Sequence, residues 1–164
     1  MGHNLHNAIA FDVSGNIYIT LLLSVSGTGQ YANLCKAPVS GMSTLQCHAL
    51  SPTNFGDYAK HFTIDSNNKL YITGMFFRDL ITYWIISSAR IDLNTGTTDW
   101  QMQYDDSVAT AQGMNVDQMV TYLSDDLSIL YYGASLTTSE NYFYYVNTLN
   151  GQLLNSFKEN ASGK

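Results

Sequence analysis

The chain has 164 residues, of which 12% are charged and 13% aromatic, and its formal net charge is −6. Its few Lys and Arg residues form no cluster, so we expect no binding to nucleic acid, which requires a basic face. The longest apolar run, residues 17–25, contains Tyr18, Thr20 and Ser24 and is too short for a membrane span, which needs about 20 apolar residues. The abundance of Tyr, Asn, Ser, Thr and Gly favours an all-β protein with many turns.

The first predicted element is a β-hairpin that recurs twice further along the chain. Each copy has an apolar strand end, a polar turn, and a strand in which apolar residues alternate with Tyr or Thr. This pattern is typical of a β-hairpin, because the turn residues stabilise a tight turn and the flanks alternate with period two. The three copies align without a gap over residues 11–20, 64–74 and 123–133.

A second hairpin pattern follows each copy of the first. Its three copies span residues 34–45, 89–100 and 144–155, with glycines at Gly41, Gly96 and Gly151. Two hairpins in each repeat predict four antiparallel strands. A four-stranded unit cannot bury both of its faces alone, so we expect the units to stack as the blades of a β-propeller.

The predicted fold is therefore all-β, a single β-propeller segment over residues 1–164 with three four-stranded antiparallel blades. The blades are predicted at about residues 5–58, 59–113 and 114–159. Closed propellers have about four to eight blades, so three are too few for closure. The predicted partners are further blades of a longer parent chain or other copies of this chain.

Two segments resemble known propeller repeats. Residues 91–100 resemble the signature of quinoprotein-type blades, in which an Asp precedes Thr-Gly and a Trp follows. Residues 14–20 resemble the Gly-Asn-Ile-Tyr-Val-Thr-Gly hairpin of bacterial and protist β-propeller repeats. The resemblance implies the propeller architecture and leaves the function open. Trp100 is replaced by Leu45 and Asn155 in the other blades, and the vicinal cysteine pair of the quinoproteins is absent, so no cofactor is expected.

The two cysteines, Cys35 and Cys47, lie six residues on either side of Gly41. In a hairpin that turns at Gly41 they face each other, which predicts a disulfide. Two free thiols or a metal site are the alternatives, although the spacing does not match a Cys-x-x-Cys site.

The cellular location is predicted from modification signals. Asn160-Ala161-Ser162 is an N-glycosylation sequon, with Asn160 as the acceptor. Together with a disulfide and the scarcity of Lys, it predicts an extracellular or cell-surface protein. The first residues contain no recognisable signal peptide.

The acidic residues of the first hairpins have two interpretations. Asp12 and Asp65 either stabilise their own turns or contribute to calcium loops, and their recurrence at turn positions favours the first. The adjacent pairs Asp105–Asp106 and Asp125–Asp126 point to opposite faces of a strand, so neither forms a dyad that shares a proton. No metal site is predicted. The four histidines are dispersed; His6 and His61 occupy equivalent positions, where packing is favoured over a role in lining the channel.

An aromatic segment of the second blade is a candidate contact for a protein or a glycan. It contains Phe76, Phe77, Tyr83 and Trp84. The favoured alternative is that these residues belong to two buried strands around a tight turn at residues 78–80, because short apolar runs between turns are typical of such strands.

No nucleophile elbow, zinc-protease segment or phosphate-binding glycine loop occurs in the sequence. The predicted function is therefore a non-catalytic structural or protein-interaction module of a secreted or cell-surface protein. One alternative is a fragment of a propeller enzyme, quinoprotein-like or a hydrolase, whose active site lies in other blades. A carbohydrate-binding propeller is the other alternative.

Overall fold

The computed structural model describes residues 9–25, 29–38, 40, 45–49, 58–78, 83–104, 116–136 and 140–160. Within these ranges the chain forms twelve strands arranged in three four-stranded antiparallel sheets. This confirms the predicted all-β class and the four-stranded repeat. None of the described residues belongs to a helix long and apolar enough to cross a membrane.

Each sheet is a meander in which strands that follow one another in the chain are neighbours. The first sheet contains β1 (Ile9–Phe11), β2 (Asn16–Val25), β3 (Gly29–Pro38) and β4 (Gln46–Ala49). The second contains β5 (Tyr58–Ile64), β6 (Lys69–Arg78), β7 (Tyr83–Asp92) and β8 (Thr97–Tyr104). The third contains β9 (Val116–Leu123), β10 (Ile129–Leu136), β11 (Glu140–Asn147) and β12 (Leu153–Asn160).

A buried aspartate organises the first turn of the first two sheets. Oδ1 of Asp65 accepts hydrogen bonds from the backbone N–H groups of Asn67 at 2.8 Å and Lys69 at 2.9 Å. Its Oδ2 accepts a third bond from the Tyr71 hydroxyl at 3.2 Å, which ties the turn to the following strand. Asp12 bonds to Ser14, Asn16 and Tyr18 in the same pattern. The turn interpretation of Asp12 and Asp65 is confirmed.

The carboxylate of Asp12 is held in its charged form by these bonds. Burial acts to raise the pKa of Asp12, but hydrogen bonds from Asn16 and Ser14 and the charge of Lys36 outweigh burial and lower it. A charged acceptor makes stronger hydrogen bonds than a neutral one. The turn therefore depends on an ionised aspartate.

The corresponding turn of the third sheet has one more residue, so the alignment without a gap was wrong after this point. Ser124 N–H donates to the carbonyl of Ile129, whereas Asp65 N–H donates to that of Lys69. Leu127 takes a φ of 59° within the longer turn. Tyr131, and not Leu130, is therefore the equivalent of Tyr71.

The third turn uses serines and an exposed aspartate instead of a buried one. The hydroxyl of Ser124 accepts a bond from Ile129 N–H at 2.9 Å, in the role that Asp65 has in the second sheet. Asp126 accepts bonds from the Ser124 and Ser128 side chains, which lower its pKa to about 2.

In the second hairpin of the first sheet, the predicted equivalent of Trp100 was wrong by one residue. Arg90 pairs with Trp100 in the second sheet, and Lys36 pairs with Gln46 in the first. Gln46, and not Leu45, therefore occupies the position of Trp100. In the third sheet that position belongs to Asn155, as predicted.

The two faces of each sheet have different side chains, because neighbouring residues of a strand point to opposite sides. The tyrosine face of the three sheets is the face that carries, in chain order, Tyr18, Tyr71 and Tyr131. The aliphatic face is the opposite one, which carries Ile17, Leu70 and Leu130.

The tyrosine face of the first sheet packs on the aliphatic face of the second. This interface is a buried cluster of Tyr18, Leu34, Phe62, Leu70, Ile72 and Ala89. The tyrosine face of the second sheet packs in the same sense on the aliphatic face of the third, where the hydroxyls of Thr73 and Thr121 are hydrogen-bonded at 2.7 Å. Between sheets the backbones approach along the first strands, since β5 contacts both β1 and β9. At both interfaces, therefore, a tyrosine face packs on an aliphatic face.

We expect Asp65→Ala to destabilise the protein by about 2 kcal/mol, because two backbone donors and the Tyr71 hydroxyl lose a shared buried acceptor. The free energy of unfolding in urea measures the effect. Asp125→Ala, at an exposed turn position, is the matched control and should change it by less than about 0.5 kcal/mol. Equal effects of the two substitutions would contradict the role of Asp65.

Candidate interaction surfaces

The interface between the second and third sheets shows how a tyrosine face is covered. The carbonyl of Thr148 accepts hydrogen bonds from Trp100 Nε1 and Arg90 Nη1, both at 2.8 Å. The Tyr104 hydroxyl donates to the carbonyl of Gly151 at 3.0 Å. Polar side-chain groups of β7 and β8 in the second sheet therefore bind the turn between β11 and β12 of the third sheet.

This contact depends on a glycine in the turn. Gly151 has a φ of +74°, and a Cβ added there would lie 2.7 Å from Trp100 Cε3 and 2.8 Å from Met102 Cγ. Gly96 is the equivalent residue of the second sheet, also with a φ of +74°, but has no atom within 4 Å of such a Cβ. Gly151 thus serves both the turn and the packing between sheets.

Charged residues on the tyrosine face of the second sheet are paired with one another. Asp99 Oδ2 lies 2.8 Å from Arg90 Nε and 3.1 Å from Lys69 Nζ. Lys69 also contacts Asp92 at 2.8 Å. Asp99 is the extra residue of a β-bulge, which brings its carboxylate between the two cations.

No other sheet of the described part of the chain covers the tyrosine face of the third sheet, and we call it the open tyrosine face. Its large side chains are Val120, Tyr122, Ile129, Tyr131, Phe143, Tyr145, Leu154 and Phe157. Val120 and Tyr122 are 61% and 63% exposed. The surface is thus a broad apolar area at one end of the stack.

The rings of the open tyrosine face are ordered by contacts among themselves. Phe143 and Phe157 stack with centroids 4.7 Å apart, and Tyr131 meets Tyr145 edge to face at 5.0 Å. Tyr145 also contacts Phe157 at 5.8 Å. Aromatic contacts of this kind contribute about 0.5–1.5 kcal/mol each beyond the area that they bury, and they favour this arrangement of the rings.

The open tyrosine face is more apolar than the covered tyrosine face of the second sheet. Equivalent positions carry Ile129 in place of Lys69, Tyr145 in place of Arg90, and Leu154 in place of Asp99. A face in permanent contact with water normally carries polar side chains, whereas a large exposed apolar area marks an interaction site. These replacements therefore indicate that a partner covers this face.

On the aliphatic face of the first sheet, Cys35 and Ala37 of β3 are buried, whereas no described sheet covers the part formed by β1 and the start of β2, which we call the open aliphatic face. Ile9 and Phe11 are 62% and 61% exposed there, next to the half-buried Ile17 and Ile19. Phe62 of the second sheet, which occupies the position of Ile9, is 2% exposed beneath the first sheet. The two ends of the stack thus present faces of opposite kinds.

The predicted disulfide is confirmed. Cys35 and Cys47 pair directly across β3 and β4, with a Cα–Cα distance of 4.0 Å, and are joined through their sulfur atoms. Cys35 also pairs with Ile19, which places the bond on the aliphatic side of the sheet, where Cys35 itself is fully buried. It fastens the short strand β4 to the rest of the first sheet.

The aromatic segment of the second sheet lies in two paired strands. Phe76 and Phe77 lie just before Arg78, the last residue of β6, Tyr83 and Trp84 begin β7, and Phe77 pairs with Trp84. The side chains of these four residues lie outside the described part of the chain, so their contact with a protein or glycan stays a prediction.

The remaining predicted residues are placed only in part. Asn160 ends β12, whereas the rest of its sequon lies outside the described residues, so glycosylation stays a prediction. His6 and the Asp105–Asp106 pair also fall outside them. His61 lies on β5, and burial lowers its pKa. Among the side chains that the structure describes, no group of three His, Cys, Asp or Glu could hold a metal ion.

The blade count predicted that the end sheets need partners, but the residues of the open faces were not predicted, although β11 carries a signal for them. Residues 142–146 are aromatic or aliphatic at every position. A strand with one face in water alternates apolar and polar residues, whereas a strand covered on both faces is apolar throughout. Continuous apolar character in a strand at the end of the stack therefore indicates a missing cover.

No protein-family model matches the sequence, and no curated protein is significantly similar to it.

Proposed function

We propose that the chain is a non-catalytic structural and protein-interaction module of a β-propeller, and that it acts by joining its open faces to further sheets. The single observation that carries this proposal is the open tyrosine face. Its equivalents in the first and second sheets are buried against a neighbouring sheet, and its own side chains are more apolar than theirs.

The arrangement of the sheets supports a propeller. Three four-stranded meanders follow one another with the same pairing of faces, and they approach along their first strands. First strands near a common axis are a property of propeller blades, which number about four to eight in a closed ring. The three sheets are then one part of such a ring, and its other sheets cover the two open faces.

An extracellular or cell-surface location fits this role. The disulfide between Cys35 and Cys47 is of a kind that persists in oxidising compartments. The sequon at Asn160 stands at the end of β12 and would carry a glycan only in a secreted protein. Release of a glycan from Asn160 by an amidase, detected by mass spectrometry, tests the location.

The experiment that tests the interaction role uses an apolar fluorescent dye, anilinonaphthalene sulfonate, which binds exposed hydrophobic surface. The diluted wild-type protein should bind the dye, and Tyr122→Lys should reduce this binding while the circular dichroism spectrum stays unchanged. Leu149→Asn is the matched control. Leu149 is 77% exposed in the β11–β12 turn, and Asn94 occupies its position in the second sheet, so this change should leave dye binding as it is.

A folded protein that binds no dye at any dilution would overturn the proposed role. The same experiment, repeated with an oligosaccharide as competitor, separates the carbohydrate-binding alternative. If the oligosaccharide displaces the dye, whereas a higher concentration of the protein itself does not, the proposed role would be replaced by sugar binding through the exposed rings.

A further inference from the structure

We infer that the open tyrosine face binds the open aliphatic face of a second copy of this chain, head to tail. This inference rests on the proposed function and names its partner. Both halves of the contact are then present on every copy, and association needs no other protein.

The first argument is continuity with the two interfaces inside the chain. In both of them a tyrosine face meets an aliphatic face, and no two faces of the same kind meet among the described sheets. The step from the third sheet of one copy to the first sheet of the next would repeat this pairing. Ile9 and Phe11 would occupy the places that Phe62 and Ile64 hold at the first interface.

The second argument is the match of side chains at the two ends. The open tyrosine face has lost the paired charges of its second-sheet counterpart at Ile129, Tyr145 and Leu154. It therefore suits an apolar partner. The open aliphatic face offers Ile9 and Phe11, both largely exposed, and their burial against an apolar partner would favour association.

The third argument is that the sheet of the open aliphatic face is held in shape. The disulfide between Cys35 and Cys47 links β3 and β4, the last two strands of the same sheet. The rings of the open tyrosine face likewise pack against one another. Two preformed surfaces lose little conformational freedom when they associate, which favours binding.

A contact between unlike faces either closes into a ring or continues as an open filament. Two copies of three sheets each fall within the range of about four to eight sheets in closed propellers. We therefore expect a closed dimer, in which each open tyrosine face covers an open aliphatic face.

The test is a mixing experiment with two variants that each lack one functional face. Phe157→Glu places a charge on the open tyrosine face, and Phe11→Glu places one on the open aliphatic face. Light scattering should give the wild type twice the mass of one chain and each variant the mass of one chain. An equimolar mixture of the two should give a dimer, because one intact face of each kind remains between them.

Matched controls lie at exposed apolar positions outside both faces. Leu149→Asn and Val13→Asp should leave the dimer intact, since Asn94 and Asp125 occupy these positions in other sheets. If either glutamate variant fails to fold, Tyr122→Arg and Ile9→Arg at strongly exposed positions take their places.

Three results would overturn the inference. The first is a wild type that stays monomeric at all concentrations yet binds the dye, which leaves the proposed function intact with another partner. The second is a dimer of Phe11→Glu alone, which would mean that two tyrosine faces pair. The third is a mixture that remains monomeric although the wild type is a dimer. Failure of the proposed function is distinct, because the protein then also binds no dye.

Discussion

Replacing Gly151 with Ala should destabilise the protein by about 4 kcal/mol, whereas Gly96→Ala should cost only about 1 kcal/mol. Both glycines have a φ of +74°, so both substitutions carry the cost of a side chain in the left-handed region. Only at Gly151 does the new methyl group collide with Trp100 and Met102 of the neighbouring sheet. The difference between the two effects is therefore the cost of overpacking the interface between the second and third sheets.

Urea unfolding of the two single variants gives this difference directly. Repeating the pair in a Trp100→Leu background checks its origin, because a smaller side chain leaves room for the Gly151→Ala methyl group. The excess cost should then fall by more than half. An unchanged excess in that background, or equal costs for the two glycines in the wild type, would show that Trp100 does not pack on this turn.

The protein should lose stability steeply above about pH 10, because two buried tyrosines resist ionisation in the folded state. Burial and the nearby Asp65 carboxylate raise the pKa of Tyr71 to about 12, and burial raises that of Tyr104 to about 12. Ionised Tyr104 could no longer donate to the carbonyl of Gly151, and ionised Tyr71 would stand 3.2 Å from a carboxylate. The lost hydrogen bond of Tyr104 and the charge repulsion at Tyr71 both destabilise the tyrosine face of the second sheet.

The direction of the change in folding stability with pH follows from the folded and unfolded pKa values of each tyrosine. A tyrosine with a raised folded pKa contributes its full stability below the unfolded pKa of about 10 and loses it as the pH rises towards 12. At about pH 11 the loss is about 1.4 kcal/mol for each tyrosine, or about 3 kcal/mol for both. Tyr71→Phe/Tyr104→Phe should be less stable than the wild type near pH 8 but lose about 3 kcal/mol less between about pH 8 and pH 11. Parallel pH curves for the two proteins would contradict the assignment.

Much of the fold could be predicted from the sequence because its turns carry strong local signals. Asp12 and Asp65 begin equivalent turns, and the strands after them alternate with period two, so two hairpins in each repeat were recognisable. The cysteines could be paired because Gly41 stands midway between them. These signals are local and do not depend on how the sheets pack.

The errors arose where one residue type takes over the role of another. Ser124 supplies through its hydroxyl the acceptor that Asp65 supplies through a carboxylate, and Leu127 adopts a positive φ that a sequence pattern does not announce. The extra residue in that turn could therefore not be recognised from the sequence, and the predicted alignment after it was shifted by one position.

The need for partners at the end sheets followed from the repeat count, but the charge pattern of the open faces could not be predicted because it depends on the register and packing of the whole stack. Asp99 reaches Arg90 only through a β-bulge, so its replacement by Leu154 in the third sheet is recognised as a loss of charge only once the register is known. Similarly, the sequence around Phe11 shows only a strand residue. Its role in an interface is recognised because its equivalent, Ile64, packs against the cluster between the first two sheets.

The central claim is that the open tyrosine face of one copy covers the open aliphatic face of another. Hydroxyl-radical labelling of the native protein, read by mass spectrometry at increasing concentration, measures this most directly. We predict that labelling of Phe11, Tyr122 and Phe157 falls with concentration, while that of Val13 and Leu149 stays constant, although all five side chains are exposed in the single chain. Constant labelling of all five side chains up to the highest concentration would contradict the claim.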